Sequence, residues 1–184
     1  MDIYQERYTS HQAKKREQLL ALYESRSSQR IFNNEALPEN WLDSVLEAMQ
    51  QTPSSCARYA VKIKVIEDRD TKQLLGGILV GGAGWVHRAK AIILLVADTT
   101  AYKENLDYMK YLDTGFTAMS IMLTLETQNI GNCYINPNIR DNHKHIMREL
   151  LGNDNLVFTG SIAVGNYDNK QEVSSKPDKS TLCL

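Results

Sequence analysis

The chain of 184 residues is poor in the residue types that usually announce a chemistry. Its three cysteines, Cys56, Cys133 and Cys183, lie far apart with no CxxC spacing. Neither a disulfide framework nor a cysteine zinc site is expected from them. Histidine is scarce too. His143 and His145 sit two apart on an expected helix, so they point to different faces, and no cysteine or carboxylate completes a metal set with them. No charge of one sign is in excess, with 21 Lys plus Arg against 22 Asp plus Glu. That argues against a general nucleic-acid or membrane-surface binder and leaves room for a local basic pocket. No apolar run approaches the roughly 20 residues of a membrane helix. No leader-like stretch is read, and a reducing cytoplasm is the expected compartment. No serine sits in a G-x-S-x-G elbow. Cys56 has no histidine in an evident supporting motif and is expected to be a packed or inert thiol. Lacking a nucleophile, an acid–base pair and a metal set, an enzyme built on this chain would need a cofactor.

What is present starts with Arg26-Ser27-Ser28-Gln29-Arg30-Ile31-Phe32. In an extended segment residues two apart point to one side, so Arg26, Ser28 and Arg30 can converge on one anion. Phosphate suits planar guanidinium forks. A solvated basic loop satisfies the same spacing, and the spacing does not choose between them.

The expected elements alternate between helix and strand. A helix is read from about Ser10, as N-cap, to Tyr23, with a thin apolar stripe of Leu19, Leu20 and Tyr23. Pro38-Glu39 opens a second helix, ended by Thr52-Pro53. Val61, Ile63 and Val65 alternate with Lys62 and Lys64, which predicts a half-exposed strand. Thr71 to Leu75 reads as a short helix, and the glycines from Gly76 to Gly84 match no phosphate-binding pattern and read as a flexible connection. Ala91 to Ala97 is apolar throughout, hence a strand covered on both faces. Leu106 to Gln128 reads as a long helix, apolar nearly all round in its second half. Burial between two subunits and burial inside one chain both satisfy that pattern. Cys133 to Ile135 and Val157 to Val164 are strand candidates, and Ile139 to Leu151 is a helix capped by Gly152. This alternation favours a layered α/β or α+β domain over residues 1–184, with an N-terminal helix in 1–25 and a polar tail in 167–184.

Taken in order, these motifs resemble the nitroreductase family of flavin mononucleotide (FMN) enzymes. The resemblance runs from Arg26-x-Ser28-x-Arg30-x-Phe32 through Leu37-Pro38-Glu39, Pro53-Ser54-Ser55-Cys56, Tyr111-Leu112-Asp113-x-Gly115 and Ile130-Gly131-x-Cys133-Tyr134-Ile135-Asn136 to Ile162-Ala163-Val164-Gly165. It implies an α+β three-layer sandwich, a mixed central sheet flanked by helices, assembled as an intertwined homodimer with the long helix in the interface. It implies FMN in clefts between subunits, with Arg26, Ser27, Ser28 and Arg30 at its phosphate and ribityl chain. Pro53, Ser54 and Ser55, with Ala57 beyond them, match the turn beside the flavin ring. Asn136 matches the segment facing flavin N5, and Lys176 or Lys179 would complete the phosphate site. The family activity is ping-pong hydride transfer from NAD(P)H, through the flavin, to a nitroaromatic, quinone or similar small acceptor, with no dedicated catalytic side chain. No nucleic-acid or membrane partner is implied.

The chain departs from the family pattern at three places. Where the family continues Pro-Ser-x-x-Asn-x-Gln-Pro, this chain has Ala57, Tyr59 and Ala60. The tail reads Lys176-Pro177-Asp178-Lys179 where an arginine is usual, which sets an acid beside the expected phosphate. Pro137 follows Asn136 and has no N–H to offer. The phosphate half of the expected site is better kept than the ring half, so a degenerate flavin-binding dimer, or a flavoenzyme with other chemistry, stays open.

Overall fold

The computed structural model describes residues 3–183, with side chains described from residue 8. The elements are α1 (Ile3–Ser25), α2 (Trp41–Gln51), β1 (Val61–Ile66), α3 (Arg69–Ile78), β2 (Ala91–Asp98), α4 (Met109–Thr127), β3 (Gly131–Ile135), α5 (Lys144–Leu151) and β4 (Leu156–Gly165).

The sheet is built around β2, whose side chains are buried from Ala91 to Ala97. Its apolar residues divide by the two-residue period of a strand. Ile92, Leu94 and Val96 pack with Leu75, Leu79 and Val86, and with Met147 of α5. Ala91, Ile93 and Leu95 pack with Trp41 and Val45 of α2 and with Ile121 and Leu125 of α4. Helices therefore cover both faces, and three layers result.

The strand order is β1-β2-β4-β3. All three strand pairings are antiparallel. The expected mixed sheet thus keeps its parallel component only as an isolated bridge between Ser28 and Asn132. The register of β2 against β4 slips between Leu95 and Val96, leaving Thr159 as an extra residue. The Thr159 hydroxyl donates to Leu95 O at 3.1 Å and accepts from Thr114 of α4 at 2.8 Å. The bulge thereby ties α4 to the sheet.

Several boundaries differ from expectation. Ser10 is not an N-cap: α1 already runs from Ile3. Its sequence is helix-favouring but carries no apolar face strong enough to mark its start. From Tyr8 to Ser25 every α1 side chain except Leu22 is exposed. α2 opens at Trp41, whose N–H donates to Pro38 O at 3.1 Å. α3 runs past Leu75 through Gly76 and Gly77 to Ile78. Beyond it, Gly81 and Gly82 belong to a single helical turn at Val80–Gly82, and another follows at Val86–Arg88, in place of an unstructured link. α5 begins at Lys144, because Ile139 pairs with Leu79 in an isolated bridge and Asp141–His143 form a turn. Gly152 ends α5 with φ of 65°, the left-handed cap expected of it.

α4 is buried on one side only. Asp113, Thr114, Thr117, Ala118, Ile121 and Leu125 face the protein. Tyr108, Tyr111, Leu112 and Phe116 are 57%, 47%, 51% and 52% exposed and share the opposite face with exposed Gly115. No helix among the described residues is long and apolar enough to cross a membrane.

Candidate functional site

Residues 26–30 run extended along the free side of β3. Gln29 N–H donates to Asn132 O at 2.9 Å. Ser27 and Gln29 turn inward and are buried, and the Gln29 amide donates to the Ser27 hydroxyl at 2.8 Å. Ser27 is thereby part of the support and not of an open surface. Arg26 and Ser28 are half-buried and Arg30 is exposed, on the other side of the segment. The chain past β4 straps this segment down. Asn33 N–H donates to Asn166 O at 2.8 Å, Gln171 N–H donates to Gln29 Oε1 at 3.1 Å, and the Gln171 side chain accepts from Arg30 N–H.

The Cys133 thiol hydrogen-bonds with Ser28 and lies within electrostatic reach of Arg30 and Arg26. Burial pushes that thiol's pKa up; the Arg30 charge, a hydrogen bond with Ser28 and the Arg26 charge pull against it without reversing the shift. Sequence spacing gave no hint of Cys133 as the floor of this cluster. Arg30 also lies 6.0 Å from the centre of the Trp85 ring, a cation–π distance. Phe32 stands 6.5 Å from the same ring. The Trp85 indole N–H donates to Gly81 O at 3.1 Å. A side chain at Gly81 would meet Ile135 and, at 4.0 Å, the Asn136 amide oxygen. Arg30 is thus linked through Trp85 and Gly81 to the neighbourhood of Asn136. Trp85 was legible only as part of a glycine-rich run.

Pro53, Ser54 and Ser55 lie elsewhere. Pro53 and Ser54 line a cavity of about 840 Å³ with Leu46, Met49, Tyr59 and Thr117, and neither Arg26, Arg30 nor Asn136 reaches it. Ser55 donates both its N–H and its hydroxyl to Asp113 Oδ1, at 2.8 and 2.7 Å. Its hydroxyl proton is therefore engaged inside the protein. Tyr102 donates to Asp113 Oδ2 at 2.9 Å. Burial, and then that hydrogen bond, push the Tyr102 phenol well above its ordinary pKa, so it stays a donor.

Beyond Ser55 the backbone is strained. Cys56, Ala57 and Tyr59 have φ of 52°, 53° and 48°. Non-glycine residues there cost roughly 1–2 kcal/mol each, so the turn holds on the order of 3–6 kcal/mol that its hydrogen bonds must offset. Cys56 is exposed, so of the packed or inert thiol expected, the packed alternative does not hold. Lys176 and Lys179 lie on the exposed tail, and no hydrogen bond or ion pair among the described residues joins them to the arginines. Asp178 caps its own turn, accepting from Ser180 N–H at 2.8 Å. That bond, the backbone one first, holds its carboxyl below the usual range. Among the described residues no group of His, Cys, Asp and Glu could hold a metal.

A family model described as the nitroreductase family matches residues 23–82, the span holding the arginine cluster, α2 and the strained turn. Over that span the chain is similar to the nitroreductase family. Among curated relatives, an FMN reductase [NAD(P)H] of Bacillus subtilis is 30% identical over 78 residues, covering 42% of this chain and 31% of that protein. The chain thus matches about a third of that relative's length. The fold is shared with a nitroreductase family protein from Streptococcus pneumoniae at TM-score 0.79 and 20% identity, covering 90% of this chain and 98% of the other. An FMN-dependent nitroreductase from Clostridium difficile aligns at TM-score 0.73 and 22% identity, covering 88% and 93%.

Proposed function

We propose that the chain is an FMN-dependent NAD(P)H oxidoreductase acting as a homodimer on electron-poor acceptors such as nitroaromatics and quinones. The observation that carries this is the extended segment laid along β3, which puts Arg26, Ser28 and Arg30 on its outer side while Ser27 and Gln29 turn inward. Two guanidiniums and a hydroxyl on one side of a strand fit the phosphate of FMN in charge and in donor number. The names of the Bacillus and Clostridium relatives point to the same cofactor.

The chain's own work is positioning. Arg26, Ser28 and Arg30 neutralise and orient the phosphate. Trp85, beside Arg30, and Asn136, beside Gly81, extend the site toward the ring. Pro53 and Ser54 line a cavity that the arginines of the same chain do not reach, which suits a site completed by a second copy. The exposed face of α4 carries Tyr108, Tyr111, Leu112 and Phe116 at helical spacing, a surface that fits such an interface. When bound, FMN supplies the two-electron hydride chemistry between NAD(P)H and the acceptor. A second reading, a flavin-binding dimer with little turnover, is favoured by Ala57: it cannot offer the side-chain hydrogen bond that the family pattern places there, and it sits in strained backbone.

Titration of the purified chain with FMN tests the first claim, with retention of a yellow cofactor expected. Bleaching by NADH or NADPH, then reoxidation by a nitroaromatic, separates turnover from binding alone. A chain that stays colourless in excess FMN sinks both readings.

A further inference from the structure

We infer that Asp113 is the positioning residue of the ring-side turn, acting through Ser55 to present Pro53 and Ser54 to the ligand. The inference rests on the flavin reading above and deepens it. Asp113 is fully buried on α4, yet it spends both oxygens on loop residues. One oxygen takes both donors of Ser55, a residue 58 positions away. The other takes the Tyr102 phenol. Arg58 closes the cluster, donating to Ser55 O at 2.8 Å and standing 5.8 Å from the Tyr102 ring centre.

This arrangement divides the adjacent serines by role. Ser55 has given away its N–H and its hydroxyl, and its carbonyl accepts from Arg58. It is an anchor and has no donor left for a ligand. The Ser54 hydroxyl oxygen accepts from Tyr59 N–H at 2.8 Å, which leaves its proton free to donate. Ser54 is also the serine that lines the cavity, and so does Thr117, one helical turn beyond Asp113. The strained residues 56, 57 and 59 lie within this double tie of Ser55 to Asp113 and Tyr59 to Ser54. Strain of this kind persists where surrounding bonds over-determine the backbone. Asp113 is the only member of the tie that comes from a regular element packed on the sheet.

The experiment uses the full chain, with FMN and inorganic phosphate as probes. Asp113→Asn and Asp113→Ala weaken FMN binding about tenfold or more, the loss expected of hydrogen bonds to a charged group. They also shift the visible band of bound FMN. Inorganic phosphate still binds with wild-type affinity, because Arg26 and Arg30 are untouched. Adding Ser55→Ala to Asp113→Ala changes FMN affinity no further. Wild-type FMN affinity and band position in both folded Asp113 variants overturn the inference, as does an additive effect of Ser55→Ala. If Asp113→Ala does not fold, Asp113→Asn carries the same comparison. Amide exchange in the FMN-free chain tests the positioning by itself. Loss of Ser55 protection in Asp113→Asn, with the sheet's protection kept, supports it, and wild-type protection at Ser55 overturns it. A wild-type chain that binds no FMN overturns the flavin reading, and the exchange result then decides the role of Asp113.

Discussion

Gly115 offers a decisive perturbation of the α4 face. A Cβ built on Gly115 meets nothing within 4 Å in a single chain, and the same is true of Gly77 in α3. Both glycines are exposed and helical, so in an isolated chain both substitutions to alanine should stabilise by about 0.5–1 kcal/mol. For a domain of this size that raises Tm by roughly 2–4 °C. The two sites differ in their neighbours. Gly115 sits among Tyr111, Leu112 and Phe116, each about half exposed. If that face packs on a second copy, the glycine is where the helices approach closely. An added methyl there overpacks the contact at about 1–3 kcal/mol, once for each copy. The dimer dissociation constant then rises about tenfold or more. The assay is sedimentation equilibrium together with thermal unfolding over a range of protein concentrations. Gly77→Ala should raise Tm at all concentrations, whereas Gly115→Ala should lower it at concentrations where the wild type is dimeric and lose that penalty where the wild type dissociates. Equal stabilisation by both, with unchanged association, would refute the assignment of α4 to an interface.

Three further outcomes follow from the structure. Arg26→Ala and Arg30→Ala should each weaken FMN retention about tenfold to a hundredfold, the range for hydrogen bonds to charged groups, while Lys62→Ala, which removes only the ion pair with Asp98, should not; equal retention in equilibrium dialysis of all three would move the phosphate elsewhere. Gly131→Ala should cost about 2–3 kcal/mol and lower Tm by roughly 5–10 °C, because its Cβ would stand 2.8 Å from Gly165 O and 2.7 Å from the Tyr167 ring, a clash that involves backbone. Tyr102 keeps its proton in the fold to a pH above that at which the unfolded chain loses it, so its contribution is full below about pH 10 and declines as pH rises beyond. Denaturant titrations should accordingly show the stability gap between wild type and Tyr102→Phe narrowing above about pH 10, and a constant gap would deny the buried hydrogen bond to Asp113.

Local chemistry made part of this molecule readable from its residues. β2 announced burial on both faces because seven residues in a row are apolar. β1 announced one wet face through Lys62 and Lys64, and both are exposed. The alternation Arg26, Ser28, Arg30 needed only an extended backbone to bring three polar groups to one side. What stayed hidden depended on distant partners. The thin stripe of Leu19, Leu20 and Tyr23 lies far from the start of α1 at Ile3 and does not reveal it. Nothing local makes the segment Val80 to Arg88 form helical turns at its two ends; Val86 and Leu79 are held in one cluster with Leu75. Asp113 looked like one polar residue in a motif until the fold brought Ser55 and Tyr102 to it. The positive φ of Cys56, Ala57 and Tyr59 is contrary to their local preference, so no reading of propensity could supply it.

The bridge between Ser28 and Asn132 has a consequence for solubility. A sheet with open sides invites other chains to pair with it, and proteins guard such edges with charge or with a covering segment. On the β1 side the guards are Lys62 and Lys64. On the β3 side the guard is the arginine-bearing segment itself, laid over Gly131 to Cys133 through Gln29 and Ser28. If Arg26 and Arg30 hold the proposed phosphate, its binding stabilises that cover by mass action. On that reading, how often the backbone of β3 stands bare would depend on the ligand, and the ligand-free chain should self-associate first at this strand.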